Sequence, residues 1–120
     1  MLLDQKIKRS RDILGKDADA IIEGFREISP DFAEYIMNFI FGDLYEREGL
    51  TDRDRELTVV ANLIGQGKTG FPLKVHLGGM LNVGWSEKEI MEVFLLLIGY
   101  VGFPAIVEAM KTAQDVFNSR

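Results

Sequence analysis

The chain has 120 residues, of which 47% are hydrophobic and 28% charged, and this composition predicts one globular domain spanning residues 1–120. The formal net charge is -5, and the first sixty residues hold fourteen Asp/Glu against nine Lys/Arg, so no basic stripe is present and nucleic acid is not an expected partner. Without cysteine the chain has no disulfide, thiol catalyst or Cys-ligated metal site.

The sequence predicts no membrane partner and a cytoplasmic protein. Charge begins at Asp4, too early for the apolar stretch of a signal peptide. The longest uncharged run, Val93 to Val107, is shorter than a membrane span.

Apolar residues at helical spacing predict an all-α fold of about six helices, without a convincing strand. The first helix is expected from about Leu2 to Leu14, ending at Gly15, and the second from about Asp17 to Ile28. Ser29 as N-cap and Pro30 at the first helical position begin the third. One apolar face of this third helix is formed by Phe32, Tyr35, Ile36, Phe39 and Ile40.

The second half contains four more helix signals. Thr51 is an N-cap followed by acidic residues, and another helix starts near Phe71–Pro72. Ser86 and Glu89 form a capping box, and Pro104 begins the last helix.

The helix after the capping box is apolar on nearly every side from Ile90 to Val101. Such a helix is expected to be central in the fold. It also exceeds what one small domain comfortably buries, which predicts a homo-oligomer.

His76 is the only histidine and lies on the edge of an apolar stripe, one turn from Leu73 and from Met80. It is either a core-edge histidine or a general acid/base or anion-holding donor. The pair Gly78–Gly79 weakens the same helix, which indicates close approach of another helix or a ligand.

Two further residues allow two interpretations each. Glu56 leans toward a buried face one turn before Val60, so it is a candidate partner for His76 or a solvated glutamate near a helix start. Tyr100 places a hydroxyl in an apolar setting, either for packing or for binding.

Residues from about 50 to 117 resemble the carboxymuconolactone decarboxylase family, which includes the alkylhydroperoxidase AhpD-like proteins. The matching pieces are "RE" near a helix start, His followed by small residues and "LNVG", then "S-x-x-E-I" and "Y-x-G-F-P-A". The resemblance implies an all-α AhpD-like helical bundle that assembles as a trimer or a hexamer.

The resemblance also separates two activities. The AhpD-like branch needs a Cys-x-x-Cys pair, and those positions fall on Thr69 and Pro72 here, so thiol peroxidase activity is excluded. The decarboxylase branch removes CO2 from a carboxylated lactone without a metal or organic cofactor. It implies a lyase whose substrate is a small carboxylated molecule.

The resemblance matches His76 and Glu56 to the histidine and glutamate of the family, which implies catalytic roles for both. We expect Tyr100, Gly79 and Arg55 to bind substrate beside them, without a metal. The predicted function is a cofactor-independent decarboxylase-like or lactone-processing enzyme. The alternative is a non-catalytic oligomeric member that binds a small molecule or acts as a scaffold.

Overall fold

Helices account for nearly all of residues 3–120, the part of the chain that the structure, a computed structural model, describes. Within these residues there is no strand, so the predicted all-α class is confirmed. Leu2, the expected start of the first helix, lies outside the described residues. The α-helices are α1 (Leu3–Leu14), α2 (Ala18–Ile28), α3 (Pro30–Tyr35), α4 (Asp52–Gly65), α5 (Phe71–Asn82), α6 (Glu87–Val101) and α7 (Phe103–Asn118). A π-helical segment (Ile36–Phe41) continues α3, and 3₁₀ turns cover Gly15–Asp17 and Leu44–Glu46.

The chain divides into two compact units, one ending at Asp52 and the other spanning Arg53–Arg120. In the first unit α2 packs against α3, and α1 packs against the π-helical segment. The prediction of one domain over the whole chain stays a prediction. The buried apolar residues of this unit are Ile13, Leu14, Ala18, Ile22, Ala33, Met37, Phe41 and Tyr45.

Arg9 makes several hydrogen bonds and ion pairs within the first unit. Its guanidinium donates to both carboxylate oxygens of Asp52, at 2.7 and 3.0 Å, and to the carbonyl oxygen of Tyr45 at 3.0 Å. Its Nε lies 2.9 Å from Glu46 Oε1. The hydrogen bond to Asp52 raises the pKa of Arg9 above its ordinary value, against the opposing effect of burial. Because two oxygens of one carboxylate are bound, this is a bidentate pair with fixed geometry.

The predicted start of α3 is confirmed, because Ser29 Oγ accepts a hydrogen bond from the Phe32 backbone and Pro30 occupies the first turn. The apolar face expected on this helix is largely exposed, with Tyr35 at 73% and Phe39 at 55%. The structure instead buries the adjacent stripe, Ala33, Met37 and Phe41. Spacing alone does not show which of two neighbouring apolar stripes packs inward.

The second unit is built from α4 to α7, with α7 packed against both α5 and α6. The predicted capping box of α6 is confirmed, because Ser86 Oγ accepts from the Glu89 backbone and Glu89 Oε1 accepts from the Ser86 backbone, both at 3.0 Å. The core consists of Val60, Ile64, Leu73, Leu77, Met80, Ile90, Phe94, Ile106, Ala109, Ala113 and Val116.

The expectation that α6 would be central is wrong for the single chain. Only Ile90 and Phe94 are buried on this helix, whereas Leu96 is 66% exposed and Leu95 52% exposed. The reason is that α6 packs by one face against α7 and leaves its other apolar face uncovered. No helix within residues 3–120 has the length and apolar character needed to cross a membrane.

Candidate functional site

Glu56 is placed by the register of α4. This helix begins directly after the predicted cap residue Thr51. Its buried positions are Glu56, Val60 and Ile64, which are four residues apart and therefore lie on one face. The same spacing that puts two aliphatic side chains into the core thus carries a carboxylate into it.

His76 is placed by α5, which has Pro72 in its first turn. The buried residues Leu73, Leu77 and Met80 define the inner face of this helix. His76 directly precedes Leu77, so its ring stands at the edge of the inner face and its side chain is 25% exposed.

The structure joins these two residues directly. His76 Nδ1 lies 2.8 Å from Glu56 Oε1, and the Glu56 side chain is fully buried. An ionised carboxylate only accepts hydrogen bonds, so it selects the tautomer in which Nδ1 carries the proton. The other ring nitrogen, Nε2, is then the one at which the imidazole can exchange a proton with a bound molecule.

The burial of Glu56 is compensated by hydrogen bonding. Among the side chains of residues 3–120, no buried nitrogen or oxygen lacks a hydrogen-bond partner. Because an unpaired buried carboxylate is costly, the His76 contact gives the core position of Glu56 a physical basis. The Glu56–His76 pair therefore forms within one chain.

The three predicted substrate-binding residues differ in burial and in position on their helices. Gly79 is buried on α5, one turn after His76. Arg55 is half-buried and precedes Glu56 on α4, so it is rotated about 100° from Glu56 around the helix. Tyr100 is 81% exposed near the end of α6, so it forms no enclosed wall in the single chain. A pocket shared by these residues stays a prediction.

The expected close approach is absent at Gly78 within the described chain. A Cβ atom added there would meet only Arg120 Nη1, at 4.0 Å. The positions equivalent to the cysteine pair are also structural here. Thr69 accepts a hydrogen bond from Thr112 through its backbone carbonyl, and Pro72 belongs to the first turn of α5.

Arg53 is a further residue near this pair, and sequence reasoning missed its contacts. Its guanidinium carbon lies 4.0 Å from the centroid of a ring of Trp85, and its Nη1 donates to the Gly84 carbonyl at 2.8 Å. Trp85 Nε1 donates in return to the Arg53 carbonyl at 3.0 Å. A tryptophan beside a glycine turn was the available signal, but spacing cannot pair residues that are 32 positions apart.

Two further properties of the described residues concern metal binding and surface grooves. No group of three or more His, Asp or Glu residues in this part of the chain is arranged to hold a metal ion. A groove of about 440 Å³ runs between α6 and α7 and contains none of the predicted site residues. It is lined by Glu87, Met91, Met110, Lys111, Gln114, Phe117 and Asn118.

Comparison with known proteins gives one matching family and several relatives. The model of the carboxymuconolactone decarboxylase family matches residues 30–115, starting earlier than the expected residue 50. The chain is 31% identical to 4-carboxymuconolactone decarboxylase of Acinetobacter baylyi over 114 residues, which cover 94% of this chain and 84% of the relative. It is 32% identical to nitrosuccinic acid decarboxylase of Metarhizium robertsii over 120 residues, with 98% and 82% covered. An uncharacterized 15.0 kDa protein of Paracoccus denitrificans is 26% identical over 97 residues, with 80% and 72% covered.

Proposed function

The chain belongs to the carboxymuconolactone decarboxylase family, and we propose that it is a cofactor-independent decarboxylase that uses His76 and Glu56 on a small carboxylated molecule. The observation that carries the proposal is the hydrogen bond between a fully buried carboxylate and a partly exposed imidazole. The named activities of two relatives support the reaction class.

The substrates named for those relatives share one chemical property. In 4-carboxymuconolactone and in nitrosuccinic acid, loss of a carboxylate as CO2 leaves an electron pair that an unsaturated lactone or a nitro group can delocalise onto oxygen. We infer that the substrate of this chain is likewise a carboxylic acid activated by an electron-withdrawing group.

The reaction asks two things of the protein. When the bond between carbon and the carboxylate breaks, the electron pair moves into the activating group, whose oxygen becomes negative and is stabilised by a hydrogen-bond donor. A general acid then returns one proton to carbon. An imidazolium, which carries a proton at Nε2 as well as at Nδ1, can perform either task.

Glu56 determines which ring nitrogen of His76 exchanges a proton with the bound molecule. Because Nδ1 is held by the buried carboxylate at 2.8 Å, the proton given to the product leaves from Nε2, and solvent restores it there. The role proposed for Glu56 is thus orientation of the ring. The contribution of a positioned acid of this kind is roughly 10²–10⁴ in rate.

The test is release of CO2 from the two named acids. Purified protein is incubated with 4-carboxymuconolactone and separately with nitrosuccinic acid, with and without a metal chelator, and CO2 is measured. We expect chelator-independent release from at least one acid, lost in His76→Gln. Absence of CO2 from both and from related carboxylated lactones and nitro acids contradicts the proposal.

Binding without turnover would support the non-catalytic alternative. A ligand at one hundred times its Kd adds about 2.7 kcal/mol to the free energy of unfolding. A thermal shift with these acids but no CO2 would therefore identify a binding protein. The matched control for His76→Gln in both assays is Lys74→Ala, an exposed change on the same helix as His76.

A further inference from the structure

Arg53 connects the first turn of α4 to the turn between α5 and α6. The connection has two hydrogen bonds of opposite direction, from Arg53 Nη1 to the Gly84 carbonyl at 2.8 Å and from Trp85 Nε1 to the Arg53 carbonyl at 3.0 Å. The guanidinium also lies over the Trp85 ring at 4.0 Å. Planar stacking and directed N–H donors are combined in arginine, and lysine does not reproduce both.

The turn that receives Arg53 is itself fixed to the end of α5. The Val83 backbone donates to the Gly79 carbonyl at 3.0 Å, and the Trp85 backbone donates to the Met80 carbonyl at 3.0 Å. Gly84 has a positive φ of 103°, which glycine adopts without strain. Movement of this turn is therefore coupled to the last turns of α5.

The Arg53 contacts lie about one helical turn from the Glu56–His76 hydrogen bond on both helices. Arg53 precedes Glu56 by three residues on α4, which is about 4.5 Å along the axis. Gly79 and Met80, which hold the turn, follow His76 by three and four residues on α5. Two polar connections thus lie at neighbouring levels, one between α4 and α5 and the other between α4 and the turn that follows α5.

We propose that Arg53 is a positioning residue, which sets the distance and angle between Glu56 and His76 through its contacts with Trp85 and Gly84. The effect on turnover rests on the proposed function. The effect on the geometry of the imidazole does not, because it is a property of the protein without substrate.

The experiment uses the unique histidine and tryptophan as reporters. In ¹⁵N-labelled protein, the imidazole resonances of His76 show which ring nitrogen carries the proton, and Trp85 fluorescence shows whether Arg53 still covers the indole. The variants are Arg53→Ala, Arg53→Lys and Trp85→Phe. Glu56→Leu, similar in volume but without an acceptor, gives the spectrum of the broken pair.

The matched control is Arg26→Ala. Arg53 Nη2 lies 3.8 Å from Glu89 Oε2 in an exposed ion pair. Arg26 likewise belongs to an exposed ion pair, with Glu23 at 2.8 Å, but it lies on α2 in the first unit. It removes the same side chain and charge. We expect its imidazole spectrum to equal that of the unchanged protein.

In Arg53→Ala we expect the imidazole spectrum to move toward that of Glu56→Leu, with Arg53→Lys intermediate. On an active substrate, kcat should fall by about 10- to 100-fold, the effect of a small misplacement of a reacting group, while KM changes little. If Arg53→Ala does not fold, Arg53→Lys decides the question by the same two spectra, and Trp85→Phe, which lacks the reporter indole, decides it by the imidazole spectrum alone.

An altered Trp85 fluorescence with an unchanged imidazole spectrum overturns the proposal, since the contacts are then broken without consequence for the pair. If the imidazole spectrum moves but no acid is decarboxylated by the unchanged protein, the positioning role stands and the proposed function fails. The two claims are therefore tested separately.

Discussion

The carboxylate of Glu56 and the imidazole of His76 meet at 2.8 Å, with the acid fully buried and the ring a quarter exposed. In the proposed function, this asymmetry gives each residue a separate task. The buried partner orients the ring, and the exposed partner can reach a bound molecule through Nε2.

His76→Gln should lower decarboxylation by roughly 10²–10⁴, because the amide cannot supply a proton near neutral pH. Circular dichroism should show the same helical content as the unchanged protein, since the side chain lies at the edge of the core. Full turnover in this variant excludes His76 as the acid. Loss of helix would identify it as a core residue instead.

Glu56→Gln keeps the shape of the side chain and removes its negative charge. The amide oxygen can still accept from Nδ1, so the fold should persist, but the carboxylate that selects the tautomer is lost. Glu56→Ala should cost more, about 1–3 kcal/mol of unfolding free energy, because His76 loses its partner and the core loses volume. Urea denaturation measures the free energy of unfolding of both variants. Equal values for Glu56→Gln, Glu56→Ala and the unchanged protein would contradict a stabilising contribution of the buried pair.

The capping box should make the stability of the chain depend on pH. The hydrogen bond from the Ser86 backbone lowers the pKa of Glu89 below its ordinary value. A lowered pKa stabilises the fold above the ordinary pKa of the group, and this contribution disappears as pH falls through the lowered value.

Glu89→Gln should therefore melt below the unchanged protein at neutral pH, and the difference should shrink as pH falls below about 4. Scanning calorimetry across this range gives the comparison. Glu92→Gln, an exposed change on the same helix, serves as the control. A difference that stays constant with pH would show that the charge of Glu89 does not contribute.

Two glycines should respond oppositely to alanine. Gly78 lies inside α5, and a Cβ there would make only an ordinary contact with Arg120 Nη1, so Gly78→Ala should stabilise the protein by up to about 1 kcal/mol. Gly84 has φ of 103°, and a Cβ there would lie 3.2 Å from Arg53 Nη1, so Gly84→Ala should destabilise it. Chemical denaturation of the two variants tests both signs.

The exposed apolar face of α6 should assemble with other copies of the chain. Light scattering coupled to size exclusion should give a mass several times 13.6 kDa. Leu96→Glu should reduce this mass, because a charge would replace an apolar contact, whereas Lys88→Glu on the polar start of α6 should not. A monomer before substitution rules out the assembly.

The helices were predictable because their ends carry local signals. Ser29, Ser86 and Pro104 act on neighbouring backbone, so capping chemistry is visible in a short stretch of sequence. The site was predictable in part, since the spacing of Glu56, Val60 and Ile64 indicates a shared face.

The parts of the fold and of the site that could not be predicted depend on contacts between residues that are distant in sequence. Nothing local reveals that Arg53 stacks on Trp85, or that Tyr100 points to solvent. The inward face of α3 was also ambiguous, because neighbouring apolar stripes satisfy the same helical period. Packing against α2 and α1 decides such questions.

The π-helical segment Ile36–Phe41 marks a place where the chain can change length. A π turn closes i→i+5 hydrogen bonds, so it holds one residue more than the α-helical turn in the same space. Deleting one exposed residue there, such as Phe39, would restore α-helical pairing and leave the flanking residues in phase. The same deletion within α4 would rotate every later side chain of that helix by about 100°.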